Sequence, residues 1–83
     1  MYYVYLLQSK KDKNFYIGQT ENIKKRLQQH DAGLVQSTKY RKPLKLIGYE
    51  TYKSRNEARW REYQLKKHGD KKEKFIKELA SGS

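Results

Sequence analysis

Apolar and aromatic residues form two short runs near the start of the sequence. The runs cover residues 2–8 and 15–20, and the polar residues 9–14 separate them. Short runs rich in aromatic and β-branched residues on either side of a polar turn are typical of a β-hairpin. We therefore expect the first two elements to be antiparallel strands.

The following segment changes to a helical period. Across residues 22–31, Ile23 and Leu27 recur one turn apart, and either Thr20 or Asn22 can serve as the N-cap. A helix is the better interpretation of this pattern.

The rest of the sequence predicts a polar and basic loop, a third strand and two more helices. The strand is expected at residues 44–52. Ser54 and Glu57 have the spacing of a capping box, which predicts a helix from there to about Lys67. Asp70 begins a second cap-like spacing before a last, short amphipathic helix.

These elements predict an α/β fold, a small three-stranded antiparallel sheet flanked by helices in the order β-β-α-β-α-α. The sequence contains no internal repeat. We expect residues 1–80 to form a single domain and residues 81–83 to form a flexible tail.

Composition argues first against a folded chain and then for one. A net charge of +11, with Leu, Ile, Val and Phe making up less than a fifth of the 83 residues, is typical of disordered proteins. Eight Tyr, two Phe and one Trp argue for order, because each aromatic ring can bury a large area. We expect an ordered domain with a lean core.

Charge and composition also narrow the class of protein. No apolar run approaches the roughly 20 residues that a membrane-spanning helix needs, and no secretory signal precedes the first strand, which predicts a cytoplasmic protein. The absence of Cys excludes disulfides and thiolate metal sites. The large positive charge makes nucleic acid the expected partner, ahead of an anionic membrane surface.

The predicted hairpin brings two tyrosines and a glycine together. Side chains alternate between the faces of a strand, and a turn of even length pairs odd positions with even ones, so Tyr5 should share a face with Tyr16 and Gly18. A glycine inside a strand usually marks the close approach of another group, and a ligand is one candidate. The alternative is a half-buried, tyrosine-rich sheet without chemistry, which the spacing alone favours.

Two polar residues flank the apolar stripe of the first predicted helix. Arg26 and His30 lie one turn apart at the margin of the Ile23–Leu27 stripe. An arginine there can contact a phosphate, and an imidazole can orient water or move a proton. A purely structural histidine is the plainer alternative.

The second predicted helix places a carboxylate in its apolar stripe. Ala58, Glu62 and Leu65 follow helical spacing, and a buried Glu needs a partner. That partner could be a divalent cation, which commonly uses one carboxylate with phosphate and water oxygens, or a cationic side chain such as Arg26. We weigh a metal site and a structural salt bridge evenly.

Taken in order, these residues resemble the GIY-YIG nuclease domain. The matching positions are Tyr3-Val4-Tyr5, Tyr16-Ile17-Gly18, Arg26, His30 and Glu62. The resemblance runs from Tyr3 to about Lys77, and the length is similar to that of small members that consist of this domain alone. It implies a metal-dependent endonuclease that hydrolyses phosphodiester bonds. DNA is the expected substrate, although no residue distinguishes DNA from RNA.

The resemblance implies roles for the residues of the hairpin. Tyr5 would activate or position the attacking water, and Tyr16 would be its hydrogen-bonding neighbour. Gly18 would leave room beside the two rings. A phenol with a pKa near 10 is a poor base at neutral pH, so neighbouring charges must favour its phenolate or pass the proton on.

The resemblance also implies roles for three residues of the helices. Arg26 would contact the scissile phosphate, Glu62 would hold one divalent ion, Mg²⁺ or Mn²⁺, and His30 would help orient the nucleophile. Displacement at phosphorus needs an activated water, a cation over the developing charge and a Lewis acid near the leaving oxygen, so these roles are physically consistent.

Departures from the family pattern support an alternative. Tyr3 and Val4 replace the Gly and Ile of the family name, Gln19 stands where repair-type members often have Lys, and no Asn follows Asn56, although many active members carry an Asn after the metal-binding Glu. The alternative is a catalytically inactive nucleic-acid-binding module on the same fold. A third interpretation is a subunit that needs a targeting partner protein, because the chain has no appended DNA-binding domain.

Basic residues interleaved with an aromatic ring predict where the substrate strand binds. This segment contains Lys39, Tyr40, Arg41, Lys42 and Lys45. Such a pattern suits contacts with the phosphate backbone plus base stacking. Neutralising about four phosphates gives a slope of roughly −3.6 for log affinity against log salt on duplex DNA. The later lysines within residues 66–77 are expected to be mainly solvated surface.

Overall fold

The computed structural model describes residues 1–81 and contains the six expected elements in the expected order. The strands are β1 (Tyr2–Ser9), β2 (Phe15–Thr20) and β3 (Leu44–Tyr52), and the helices are α1 (Ile23–Asp31), α2 (Arg55–Lys67) and α3 (Gly69–Ser81). The predicted α/β fold is confirmed. Ser81, expected to begin a tail, is the last residue of α3, and the other two residues of that tail lie outside the described part of the chain.

Side-chain caps begin the first two helices. The Asn22 side chain accepts a hydrogen bond from the backbone N–H of Lys25 at 3.0 Å, which makes Asn22 and not Thr20 the N-cap of α1. Ser54 accepts one from the N–H of Glu57 at 3.2 Å, as its spacing predicts. Asp70 lies inside the first turn of α3 and not at a cap, because that helix already begins at the preceding residue.

The sheet places β1 between two antiparallel neighbours, in the order β2-β1-β3. Tyr5 lies opposite Gly18, and Leu7 lies opposite Tyr16. These pairs share one face of the sheet, so the predicted hairpin register is confirmed. Against β3, the register shifts between Leu6 and Leu7.

The hydrophobic core lies on the opposite face of the sheet. Val4 and Leu6 of β1 pack there against side chains of α2 and α3, and these core residues are 3% exposed or less: Val4, Leu6, Ile17, Ala58, Leu65 and Phe75. The face that carries Tyr5 is covered by α1, whose one buried residue is His30. The sheet therefore separates a core of aliphatic and aromatic side chains from a polar cluster.

A bidentate ion pair fastens α2 to β3. Arg61 Nε and a terminal nitrogen donate to the two carboxylate oxygens of Glu50 at 2.9 and 3.3 Å. The hydroxyl of Tyr52 donates to the same carboxylate at 2.7 Å, and burial followed by this bond raises the pKa of Tyr52 to about 12. The pair holds α2 against the sheet edge, and this helix carries Glu62.

Candidate active site

Tyr5 occupies the centre of the polar face. Its side chain is 1% exposed, and its ring lies directly over Gly18. A Cβ atom built at Gly18 would lie 2.5 Å from Tyr5 Cζ, far inside a carbon–carbon contact. Glycine is needed at this position because any side chain would displace the Tyr5 phenol.

Two residues of α1 converge on the Tyr5 hydroxyl. Arg26 Nε donates to it at 3.3 Å, and His30 Nε2 lies 3.1 Å from it. Arg26 also donates to the Gln29 side chain at 3.1 Å, which orients the guanidinium from the same helix. The one-turn spacing noticed in the sequence therefore brings both groups to the same phenol.

His30 is buried more deeply than its sequence position suggests. We expected it at the margin of the core, yet its side chain is fully inaccessible to solvent. The loop after α1 closes over it, and Thr38 Oγ1 lies 2.7 Å from His30 Nδ1. Thr38 is itself buried and was not anticipated, because nothing in its local spacing distinguishes it from the other polar residues of the loop.

Tyr16 contributes an aromatic wall and not a hydrogen bond to Tyr5. Its ring centroid lies 6.4 Å from that of Tyr5 and 5.4 Å from that of His30. The expected hydroxyl contact with Tyr5 is absent from residues 1–81, where the Tyr5 hydroxyl instead has Arg26 and His30 as partners. The physical reason is the register: Tyr16 lies opposite Leu7, two pairs further along the hairpin on the same face.

Glu62 lies at the side of α2 that faces this cluster. Its side chain is 23% exposed, so it is half-buried and not in the centre of the core as its spacing had suggested. Lys66, one turn later, is its partner, with 3.2 Å between Nζ and the carboxylate, whereas Arg26 was the cationic partner considered from the sequence. Lys66 Nζ also lies 5.6 Å from the centroid of the Tyr16 ring. These two contacts bring Glu62 to the edge of the tyrosine cluster.

The electrostatics favour neutral Tyr5 and His30 beside a charged arginine. Burial raises the pKa of Tyr5, while the hydrogen bond from Arg26 lowers it, and the nearby Glu62 carboxylate adds a smaller upward contribution. Burial, and then the positive charge of Arg26, lower the pKa of His30. The hydrogen bond with Tyr5 raises the pKa of Arg26. At neutral pH the site therefore holds a phenol, an imidazole and a guanidinium.

The donor set allows one kind of metal site. No group of three or more His, Asp or Glu side chains that could hold an ion occurs in the described part of the chain. Glu62 offers a carboxylate beside the Tyr5 cluster, and a hard cation such as Mg²⁺ commonly takes one carboxylate and completes its shell with phosphate and water oxygens. The residues thus fit a divalent ion that binds together with a phosphate. The ion would replace Lys66 as the partner of the Glu62 carboxylate.

The basic segment predicted from the sequence lies at one end of β1. Ser9, the last residue of β1, donates through its hydroxyl to the Arg41 carbonyl at 2.7 Å. Lys45 pairs with Gln8 in the sheet, and Lys39 Nζ lies 4.9 Å from the centroid of the Tyr40 ring. The segment is therefore held beside the hairpin turn.

A polar cleft of about 350 Å³ lies at the other end of β1. Tyr2 and Arg26 line it together with two further cations, Lys25 and Arg55, which sequence analysis did not single out. No local spacing connects Lys25 with Arg55, which are brought together by the docking of α1 and the start of α2. Glu21 also lines the cleft, so three cations and one carboxylate lie at this end of β1.

Most of the chain is similar to known proteins. Residues 1–76 match the profile of a family described as the GIY-YIG catalytic domain. The match contains every residue of the cluster around Tyr5, including Glu62. No helix among residues 1–81 is long and apolar enough to cross a membrane.

Several similar proteins bear the name UPF0213 protein. One from Clostridium perfringens is 41% identical over 68 residues, which cover 81% of this chain and 72% of the relative. One from Syntrophus aciditrophicus is 45% identical over 67 residues, covering 78% and 76%. One from Staphylococcus haemolyticus is 39% identical over 66 residues, covering 78% and 79%. No solved structure matches the chain.

Proposed function

The chain belongs to the GIY-YIG family, whose domain has a nuclease-type fold, and from that premise we propose that it is a metal-dependent endonuclease acting on DNA. The observation that carries the proposal is the Tyr5 hydroxyl, which Arg26 and His30 contact together at 3.3 and 3.1 Å. The Glu62 carboxylate acts on the same phenol electrostatically. A buried phenol with these partners suits the attack of water on a phosphodiester.

Arg26 binds and stabilises the reacting phosphate. Its Nε donates to Tyr5, one terminal nitrogen donates to Gln29, and the residue lines the polar cleft. A guanidinium held in this way can contact two phosphate oxygens and stabilise the charge that develops on them. Because the hydrogen bond with Tyr5 raises its pKa, Arg26 stays charged throughout.

Tyr5 and His30 position the attacking water and move its proton. Burial keeps Tyr5 protonated at rest, so it first acts as a hydrogen-bonding group for the water. When Nδ1 of neutral His30 donates to Thr38, Nε2 has a free lone pair directed at the Tyr5 hydroxyl. His30 can then accept the phenol proton as Tyr5 takes one from the water.

Glu62 would hold the divalent ion, Mg²⁺ or Mn²⁺. GIY-YIG nucleases generally use such an ion, and it supplies a Lewis acid that stabilises charge on the leaving oxygen. Before the ion binds, Lys66 neutralises the Glu62 carboxylate. This contact keeps the half-buried carboxylate paired in the resting protein.

The substrate strand extends across both basic regions. At one end of β1 it contacts Lys39, Arg41, Lys42 and Lys45, with Tyr40 available for stacking, and at the other it enters the cleft of Lys25 and Arg55. Most such contacts go to phosphates, which position a strand without selecting its sequence. Selection of a site would then fall to a targeting partner protein, and we place the reaction in the cytoplasm.

The second candidate function is a catalytically inactive nucleic-acid-binding module. Two observations favour it. No Asn follows Glu62, since the last Asn of the sequence is Asn56, and Lys66 already pairs with the carboxylate that the ion would use. Both candidates predict binding of nucleic acid, and they differ in whether a bond is broken.

A cleavage panel separates the two candidates. Purified protein is incubated with branched, nicked and plain DNA and with RNA, in Mg²⁺ or Mn²⁺. We expect cleavage by the wild type and none by Glu62→Ala or Tyr5→Phe. Binding of all substrates by every protein without cleavage would establish the inactive module.

Matched controls test whether the losses are specific. Glu73→Ala removes a carboxylate from an equivalent pair on α3, where Lys77 Nζ lies 3.8 Å away. Tyr52→Phe removes a tyrosine hydroxyl that donates to Glu50 on the far side of the sheet. Both controls should cleave like the wild type, and a control as inactive as its partner would show that the loss reflects general destabilisation.

A further inference from the structure

An aromatic pair on α2 points away from the core. Trp60 and Tyr63 are 60% and 50% exposed, and their rings stack with 5.7 Å between centroids and 26° between planes. Large aromatic side chains usually bury most of their area in the core of a domain, and this domain has few large apolar side chains for its core. Two of them stacked in solvent on a helix need an explanation other than core packing.

A lysine holds the pair in place. Lys67 Nζ donates to the Tyr63 hydroxyl at 3.0 Å and lies 5.3 Å from the centroid of the same ring. Arg59 is exposed one turn before Tyr63, and Glu57 is exposed one turn before Trp60, so two cations and one acid lie beside the pair. The pair is thus already ordered and lies in a positive environment, which disfavours an apolar or basic protein partner and suits a polyanion that carries flat rings.

The pair lies on the same helix as Glu62 but on another side of it, because consecutive residues of a helix point about 100° apart. Tyr63 directly follows Glu62, and Lys66 links the Glu62 carboxylate to the Tyr16 ring at 3.2 and 5.6 Å. Lys67, which contacts Tyr63, directly follows Lys66. A strand that contacts both Glu62 and the aromatic pair must therefore bend around α2.

We propose that Trp60 and Tyr63 form a stacking platform for an unpaired nucleobase of the bound nucleic acid. The inference rests on the proposed function and names its substrate class: nucleic acid that contains unpaired nucleotides. Base pairs inside a duplex present their faces only to each other, so only an unpaired base can extend the Trp60–Tyr63 stack. Stacking of this kind tolerates every base, because each has a π face.

The chain contains its own probe for this contact. Trp60 is the one tryptophan in the sequence, so selectively excited tryptophan fluorescence reports on the platform alone. A titration with a single-stranded oligonucleotide in EDTA, where metal-dependent cleavage cannot occur, should quench this fluorescence. A duplex of the same sequence and a base-free sugar–phosphate strand of equal charge should quench it far less.

Two substitutions at the same position separate stacking from simple apolar contact. Trp60→Phe keeps a flat ring and Trp60→Leu keeps only apolar area, and the site is exposed enough that neither should disturb folding. By fluorescence anisotropy of a labelled strand, Trp60→Leu should weaken single-strand binding roughly ten- to a hundredfold, with a much smaller loss for Trp60→Phe and little change for duplex. Tyr63→Leu should behave like Trp60→Leu.

The outcomes distinguish the platform from the nuclease. Equal quenching by strands with and without bases, or wild-type binding by Trp60→Leu, overturns the platform even if cleavage is observed. Fluorescence that changes with protein concentration alone would instead show that Trp60 lies between two copies of the chain. Base-dependent quenching without cleavage in Mg²⁺ or Mn²⁺ would keep the platform and overturn the endonuclease.

Discussion

Replacing Gly18 with Ala tests whether the glycine exists to admit the Tyr5 ring. The new Cβ would lie 2.5 Å from Tyr5 Cζ, whereas carbon atoms in contact are separated by about 3.5 Å. The ring must therefore move by about 1 Å. Tyr5 is 1% exposed and is surrounded by Tyr16 and His30, so it cannot move without disturbing its neighbours.

The cost in stability follows from crowding a packed site. Overpacking of this kind typically costs about 1–3 kcal/mol. The substitution also lowers the conformational entropy of the unfolded chain, which stabilises the folded state by about 0.4–1 kcal/mol. We expect a net loss of about 1–2 kcal/mol in the free energy of unfolding, which leaves an ordinary small domain mostly folded.

The expected cost in activity is larger than the cost in stability. A displacement of about 1 Å would lengthen the hydrogen bonds of the Tyr5 hydroxyl to Arg26 and His30, now 3.3 and 3.1 Å. Misplacing a catalytic group by this distance can reduce the rate about a hundredfold. Initial cleavage rates measured well below the unfolding transition separate this effect from the loss of folded protein.

Gly48→Ala is the matched control. It makes the same substitution in another strand, where the new Cβ would meet the flexible Leu79 side chain of α3, with its nearest atom at 3.1 Å. Urea unfolding followed by circular dichroism should show a smaller loss of stability than for Gly18→Ala, because Leu79, half-buried near the end of α3, needs to shift by only a few tenths of an ångström from contacts of 3.1 and 3.2 Å. The cleavage rate should remain that of the wild type.

Two results would refute this reasoning. Gly18→Ala with the wild-type urea midpoint would mean that Tyr5 can relocate without cost, contrary to its packing. Equal losses of activity in Gly18→Ala and Gly48→Ala would mean that the placement of the Tyr5 ring has no special role.

Two further predictions concern pH and salt. Because burial lowers the pKa of His30, the unfolded state should take up a proton first as the pH falls below about 6.5, so the free energy of unfolding should decrease there. Urea unfolding at about pH 7 and pH 5 should show a smaller decrease for His30→Gln than for the wild type. An unchanged decrease would exclude His30 as the source. Lys25→Ala and Arg55→Ala should each reduce the steepness of log affinity against log salt on duplex DNA by about 0.9. The control Lys74→Ala on α3 should leave the slope unchanged. Equal slopes in all three variants would exclude the cleft as a phosphate site.

Local patterns in the sequence determined the secondary structure and the relative positions of site residues that share one strand pair or one helix. Strand alternation and an even-length turn put Tyr5, Tyr16 and Gly18 on one face, and helical spacing put Arg26 and His30 one turn apart. These relations follow from the backbone periods of strands and helices, which depend only on neighbouring residues. For the same reason the caps at the starts of α1 and α2 could be recognised from sequence.

Contacts between distant segments were decided only by the tertiary structure. The loop after α1 buried His30 through Thr38, which no spacing relates to it. The docking of α2 left Glu62 half-buried beside Lys66 and left Trp60 in solvent, although an apolar residue is ordinarily expected inside. Helical spacing indicates which side chains share a face, but the rotation of the helix on the sheet decides which face meets the core, and that rotation depends on the packing of the whole domain.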